Sequence, residues 1–184
     1  MPIMKKLTDL LEHLEYQCIQ GTTDKEISGI VSDSRKAGPG SLFFCIKGAV
    51  SDGHTYAKEV AEKGASVLIV QDLVEVPKQV TVIQVPDSRY AMACISAAWF
   101  DHPAEKLKTI GITGTKGKTT TSYMVASILE KAHQKVGIIG TIGSMINGEL
   151  RKTKPRNLIW CRNTLQRWWK QDVTVWLWRF LPRD

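Results

Sequence analysis

Leucines at positions 7, 10, 11 and 14 recur at three- and four-residue spacing, which predicts an amphipathic helix. Short apolar runs follow at 27–31, 41–46, 65–72 and 80–87, each of strand length and bounded by turn residues. DSRKAGPG (33–40) reads as a turn, and 54–63 reads as helix after the GAVSDG loop. Residues 88–100 form a further predicted helix, with Ser88 placed to cap it. Strand and helix alternate, so the fold class is α/β. His102-Pro103 marks a boundary. Beyond it, LKTIGIT (107–113) predicts a buried strand, 119–132 a helix and 135–143 the next strand. This βαβ order with a glycine-rich turn opens a parallel-sheet nucleotide-binding domain. Such a domain ordinarily takes roughly 100 residues or more. The expected organisation is therefore 1–104 as one α/β domain, 105–155 as the truncated start of a second, and 156–184 as a tail. An incomplete second sheet is expected to expose a strand edge and to leave 106–184 poorly ordered.

Apolar residues make up 43% of the 184 and charged residues 23%, the balance of an ordinary globular protein. That excludes a disordered chain or a collagen-like repeat. No run approaches the ~18 apolar residues of a membrane span, and acidic residues interrupt the stretch after Lys5 and Lys6, unlike a secretory signal. Cys18, Cys45, Cys94 and Cys161 show no CxxC spacing, so neither a zinc site nor a disulfide framework is indicated. A reduced, cytoplasmic monomer is expected. The net charge of +7 is unevenly spread: residues 1–155 carry +3 and 156–184 carry +4. The same tail holds five of the six tryptophans. Basic and aromatic interleaving suits stacking on nucleic-acid bases, but WWKQDVTVWLWRFL left uncovered would be an aggregation-prone patch. Neither nucleic acid nor a membrane is the expected partner.

Gly111-Ile112-Thr113-Gly114-Thr115-Lys116-Gly117-Lys118-Thr119-Thr120 carries the strongest chemical signal. It lies between a predicted strand and a predicted helix, the context a phosphate-binding loop requires. Glycines let backbone N–H groups approach phosphate oxygens, and a helix N-terminus adds partial positive charge. Lys118 can reach β- and γ-phosphates, and the Thr119 hydroxyl suits a magnesium ion bridging them. The usual spacing wants glycine at 112, where isoleucine stands; Gly114 makes a shorter variant. The competing reading is a structural βα turn.

With these residues in view, TGTKGKTT resembles the ATP loop of the Mur ligases, which build the peptide stem of bacterial cell-wall precursors. GIVSDSRKAGPGSLFFCIKGAVSDGHTYAKEVAEKGASVLIV (29–70) resembles the uridine-nucleotide-binding domain of the family's UDP-N-acetylmuramoyl-tripeptide synthetases. The DSR, PG-x-LFF and G-x-x-x-DGH-x-Y elements appear in order. The resemblance, which runs from about residue 7 to about 155, implies ATP bound by Gly114, Thr115, Lys116, Gly117, Lys118, Thr119 and Thr120, with Lys118 catalytic and Thr119 on Mg2+. It implies contacts from Ser32, Ser34, Ala49, Val50, Ser51 and Thr153 to UDP-MurNAc-peptide. The family's second threonine beside Thr153 is Lys154 here. Without the resemblance, Ser32 and Ser34 read as local turn caps.

The implied reaction is ATP-dependent amide formation: the terminal carboxylate of UDP-MurNAc-L-Ala-D-Glu becomes an acyl phosphate, and the amine of a diamino acid (meso-diaminopimelate or L-lysine) displaces phosphate. Fixed cations and aligned donors would do most of that work. The related ligase that adds D-Ala-D-Ala, and a non-catalytic nucleotide-binding remnant, are the alternatives. The resemblance further implies an MEVSS-type strand with an acidic magnesium ligand and a later carbamylated lysine. The printed tail carries neither and is expected to lie outside the family. A shift of reading frame near codon 155 accounts for it. Tryptophan has one codon, so Trp168-Trp169 forces valine and Trp169-Lys170 forces glutamate in the shifted frame. From Leu165 that frame can read AEMVEAGCDCVVMEVSSQG. Little or no turnover is expected of the 184 residues.

Overall fold

SLFF (41–44) and VLIV (67–70) are buried at every position, the pattern of strands covered on both faces. The computed structural model describes residues 4–48, 51–140, 143–146, 149–151 and 158–179. The chain divides into two units between Trp99 and Phe100, five residues before the boundary expected at 104/105.

In the first unit the strands are β1 (Lys5–Lys6), β2 (Gln17–Gln20), β3 (Glu26–Ile27), β4 (Gly29–Val31), β5 (Ser41–Phe44), β6 (Val67–Val70) and β7 (Thr81–Gln84). The helices are α1 (Leu7–Leu11), α2 (Ala57–Glu62) and α3 (Ser88–Trp99), with 3₁₀ turns at Ser34–Lys36 and Gly53–Tyr56. The main sheet runs β2-β7-β6-β5-β4, parallel from β4 to β7, with β2 antiparallel at the edge. Phe43, Leu68, Val70 and Val82 pack with Ala57 and Val60 of α2. Helices α1 and α3 pack on each other, and α3 also meets β6. The cap of α3 is Asp87, not Ser88: Asp87 Oδ1 accepts from the N–H groups of Arg89 (2.7 Å) and Tyr90 (3.1 Å). Ser88 lies fully buried instead.

The second unit holds β8 (Lys108–Ile112), β9 (Val136–Gly140), β10 (Gly143–Ile146), β11 (Glu149–Arg151), β12 (Val175–Arg179), α4 (Lys118–Lys131) and α5 (Leu158–Trp169). Its order is β11-β10-β9-β12-β8. The tail therefore corrects the sequence reading. Residues 158–169 make a helix, and 175–179 enter the sheet between β8 and β9, parallel to both. Within the apolar run that looked exposed, Trp168, Val173, Val175, Trp176 and Leu177 are buried, while Trp169 stays 42% exposed. Leu165, Trp168, Val173 and Trp176 pack with Leu107 and Ile139 on one face, while Leu177 packs with Ala126 and Ile138 on the other. Trp168 lies over Gly137, where an added Cβ would run into the indole ring. The half-sheet implied by 107–143 alone is completed by the tail's own strand.

Candidate nucleotide-binding sites

The phosphate loop joins β8 to α4. Gly114 has φ 145° and Gly117 φ 77°, values that favour glycine. Gly117 is the N-cap of α4, and no side chain among the described residues caps that helix. The first-turn amides thus lie behind a glycine, as anion binding requires. Lys118 Nζ donates to the carbonyl oxygens of Gly114 and, at 3.4 Å, Thr115. The ammonium is held over its own loop on the side from which phosphates would come. Thr115, Lys116 and Thr120 are exposed, and Thr119 is half-buried in the first turn of α4. Magnesium takes oxygen ligands and is usually held by a carboxylate together with phosphates and water. β12 lies next to β8 with Trp178 opposite Gly111 and Arg179 opposite Ile112. Its sequence VWLWR offers no carboxylate. The residues present fit a polyphosphate well and a magnesium ion only through Thr119.

The first unit carries a cleft of about 650 Å³ at the C-terminal ends of β4 and β5, where parallel sheets place ligands. Ser32, Ser34 and Ser51, singled out from the sequence, all line it. Ala49, Val50 and Thr153 lie outside the described residues, as does Lys154. Phe43 and Phe44 supply the cleft's apolar floor, and Asp33, Arg35 and Glu59 its charges. Asp33 caps the 3₁₀ turn by accepting from Arg35 N–H, and its carboxylate also takes the Arg35 guanidinium at 2.8 and 2.9 Å. The side-chain bond to Arg35 is the main reason the Asp33 carboxyl sits at about 2, below its ordinary 3.8. Lys63 at the end of α2 donates to the Ser34 carbonyl (3.1 Å) and pairs with Glu59. The DSR turn is thereby fixed to α2. In PG-x-LFF, Gly40 has φ 75°, and a Cβ there would meet Ser28 Oγ at 2.7 Å. Ser28 Oγ in turn donates to Pro39 O at 2.9 Å.

His54, part of the G-x-x-x-DGH-x-Y element, was given no role by the sequence reading. The structure gives it both ring nitrogens in use. Nε2 accepts from the N–H groups of Gln71 (3.1 Å) and Asp72 (3.3 Å). That fixes the proton on Nδ1, which meets Asp52 Oδ1 at 2.5 Å. Among the described residues, Asp52, His54 and Asp72 bring donor atoms within 4.8 Å of one another. With the ring so engaged and Asp72 paired to Lys47, the cluster is a hydrogen-bonded brace and not a metal centre.

Two family models account for most of the chain. One, described as "Mur ligase family, catalytic domain", matches residues 26–100. The other, "Mur ligase middle domain", matches 112–177. The chain belongs to the Mur ligase family. The second match runs through α5 and into β12. One relative of this Mur ligase chain is the UDP-N-acetylmuramoyl-L-alanyl-D-glutamate--2,6-diaminopimelate ligase of Clostridium perfringens. It is 44% identical over 143 residues, covering 78% of this chain and 30% of the relative. The chain thus spans about a third of the length of such relatives. A solved structure of an enzyme of that same name matches with TM-score 0.78 and 21% identity over 97% of this chain and 36% of that one. A more distant fold relative, the MurF ligase of Thermotoga maritima in complex with ADP, matches with TM-score 0.54 and 19% identity over 82% of this chain and 31% of that one. Among the described residues no helix is long and apolar enough to cross a membrane.

Proposed function

We propose that this chain is the nucleotide-recognising part of a ligase that adds a diamino acid, meso-diaminopimelate or L-lysine, to UDP-MurNAc-L-Ala-D-Glu. The observation that carries the reading is the gathering of Ser32, Ser34 and Ser51 in one cleft of the first unit. That cleft takes the uridine diphosphate end of the substrate: Phe43 and Phe44 offer apolar contact for the base, and hydroxyls and backbone groups serve the ribose and phosphates. The loop from Gly114 to Thr120 takes ATP, its amides and Lys118 meeting the negative charge that grows on the transferred phosphoryl group. The Thr119 hydroxyl would help hold a magnesium ion, which would supply positive charge against the phosphates. Carboxylate activation followed by amine attack is the chemistry of the whole ligase; the residues for the amine acceptor belong to none of the sites described here.

The related D-Ala-D-Ala-adding reading has less support, since relatives 44% and 37% identical to this chain are named as 2,6-diaminopimelate ligases. Calorimetric titration separates the two. The expected result is tighter binding of UDP-MurNAc-L-Ala-D-Glu than of the corresponding UDP-MurNAc-tripeptide; the reverse order would favour the D-Ala-D-Ala ligase. Phosphate release from ATP with the dipeptide substrate and diaminopimelate is expected to be absent. Steady release from the purified chain would contradict the reading of it as a recognising part only.

A further inference from the structure

Ile46, Ser51 and Gly53 belong to the segment that leaves β5 and walls one side of the cleft. This wall has little regular structure. Its two limbs are joined at an isolated bridge between Lys47 and Asp52 and by Gly48 N–H donating to Ser51 O at 2.9 Å. Gly53 N–H donates to Ile46 O at 2.9 Å. A Cβ on Gly53 would lie 2.6 Å from Ile46 N, so the limbs touch as closely as backbone allows. These contacts hold the segment to itself. What ties it to the sheet is a different set of bonds.

His54 follows at once, with 9% of its side chain exposed. Its ring reaches from the wall to the turn after β6, where Nε2 accepts the two successive amides of Gln71 and Asp72. Its Nδ1–H returns to Asp52, whose same oxygen accepts His54 N–H at 2.9 Å. Lys47 reaches the same turn by its ion pair with Asp72, and Arg89 of α3 donates to the Lys47 carbonyl at 2.9 Å. The exposed ion pair contributes little by itself. The imidazole, largely shielded and accepting two backbone amides at once, is the stiff member of the set.

We propose that His54 is a positioning residue for the uridine-nucleotide cleft: by accepting the Gln71 and Asp72 amides it fixes the wall that presents Ser51 to the ligand. This rests on the reading of the cleft given above. The role needs an acceptor at the Nε2 position, which separates two conservative replacements. Glutamine carries an oxygen that far from the backbone. Asparagine can still meet Asp52 but is too short to reach the turn after β6.

The test is calorimetric titration of UDP-MurNAc-L-Ala-D-Glu into the full chain and into His54→Gln, His54→Asn and His54→Leu, with amide hydrogen exchange at Gln71 and Asp72 followed without ligand. Expected are affinity within about threefold of wild type for H54Q and about tenfold or more weaker for H54N and H54L, with faster exchange at both amides in the latter two. If wild type binds and H54N binds as tightly with unchanged exchange, the positioning role fails while the cleft stands. H54Q binding as weakly as H54N would likewise sink the role. If wild type does not bind, the cleft reading fails and the proposal with it. Should H54L not fold, the comparison of H54Q with H54N decides.

Discussion

Lys118 turns back on its own loop, its ammonium hydrogen-bonded to the Gly114 carbonyl four residues earlier. Because the contact is exposed, it contributes little to stability. Lys118→Ala is expected to leave the unfolding temperature close to wild type and to weaken ATP binding at least tenfold. Thermal melts and titrations on the same preparation check both halves.

Two glycines of the second unit should respond differently to alanine. At Gly117 an added Cβ meets nothing within 4 Å, but φ is 77°, so Gly117→Ala carries a conformational cost of about 1–2 kcal/mol. At Gly137 the Cβ would run into the Trp168 ring, so Gly137→Ala costs about 1–3 kcal/mol through overpacking. In Trp168→Ala, G137A should become much less harmful, since the colliding ring is gone. A double-mutant cycle by denaturant unfolding measures that coupling.

Trp168 is 3% exposed and lies in the core that the tail completes. Trp168→Ala should destabilise the second unit by about 3–5 kcal/mol while leaving the first unit's transition in place. Calorimetric unfolding that showed no change in either transition would mean that α5 does not pack as described.

Three titrating groups give pH predictions. Asp33 is depressed to about 2, so the stabilisation from its pairing with Arg35 is fully present above about 3.8 and is lost as pH falls through about 2. The charge on Asp33 should therefore be unaltered between pH 7 and pH 5, and Asp33→Asn should not change the pH dependence of ligand binding in that range. Burial pushes the Cys45 thiol up to about 12 and the Cys161 thiol to about 11, so both stay protonated and unreactive at pH 8. Exposed Cys18 should be the first thiol modified by a disulfide reagent under native conditions, with Cys45 and Cys161 reacting only after denaturation.

The parallel strands were legible because fully apolar runs such as Val67–Val70 announce burial on both faces, and the phosphate loop because its glycines precede a helix. β2 was not: Gln17–Gln20 is a polar, largely exposed edge with no apolar alternation to mark it. At α3 the sequence reading placed the cap on Ser88, and only the structure shows that Asp87, one residue earlier, meets the amides. His54 was missed because its role depends on amides 17 and 18 residues away, a pairing no local pattern reveals. The tail misled for a physical reason. Its apolar residues were plain, but the strands that cover them, β8 and β9, lie more than 30 residues upstream.

The frame of the tail remains a matter for the gene. In the shifted reading, the glutamate of MEVSS falls on the junction of Trp178 and Arg179, the end of β12 that lies beside Gly111 and Ile112. Resequencing around codon 155 is expected to reveal a gained or lost base; an intact frame there would leave β12 as VWLWR, without the acid.

The central claim is that the bend at Gly114–Lys118 grips a polyphosphate. Calorimetric titration of the wild-type chain with ATP in excess Mg2+ tests it most directly. The account predicts saturable one-to-one binding that is lost in Lys118→Ala; a flat titration of folded wild-type protein would contradict it.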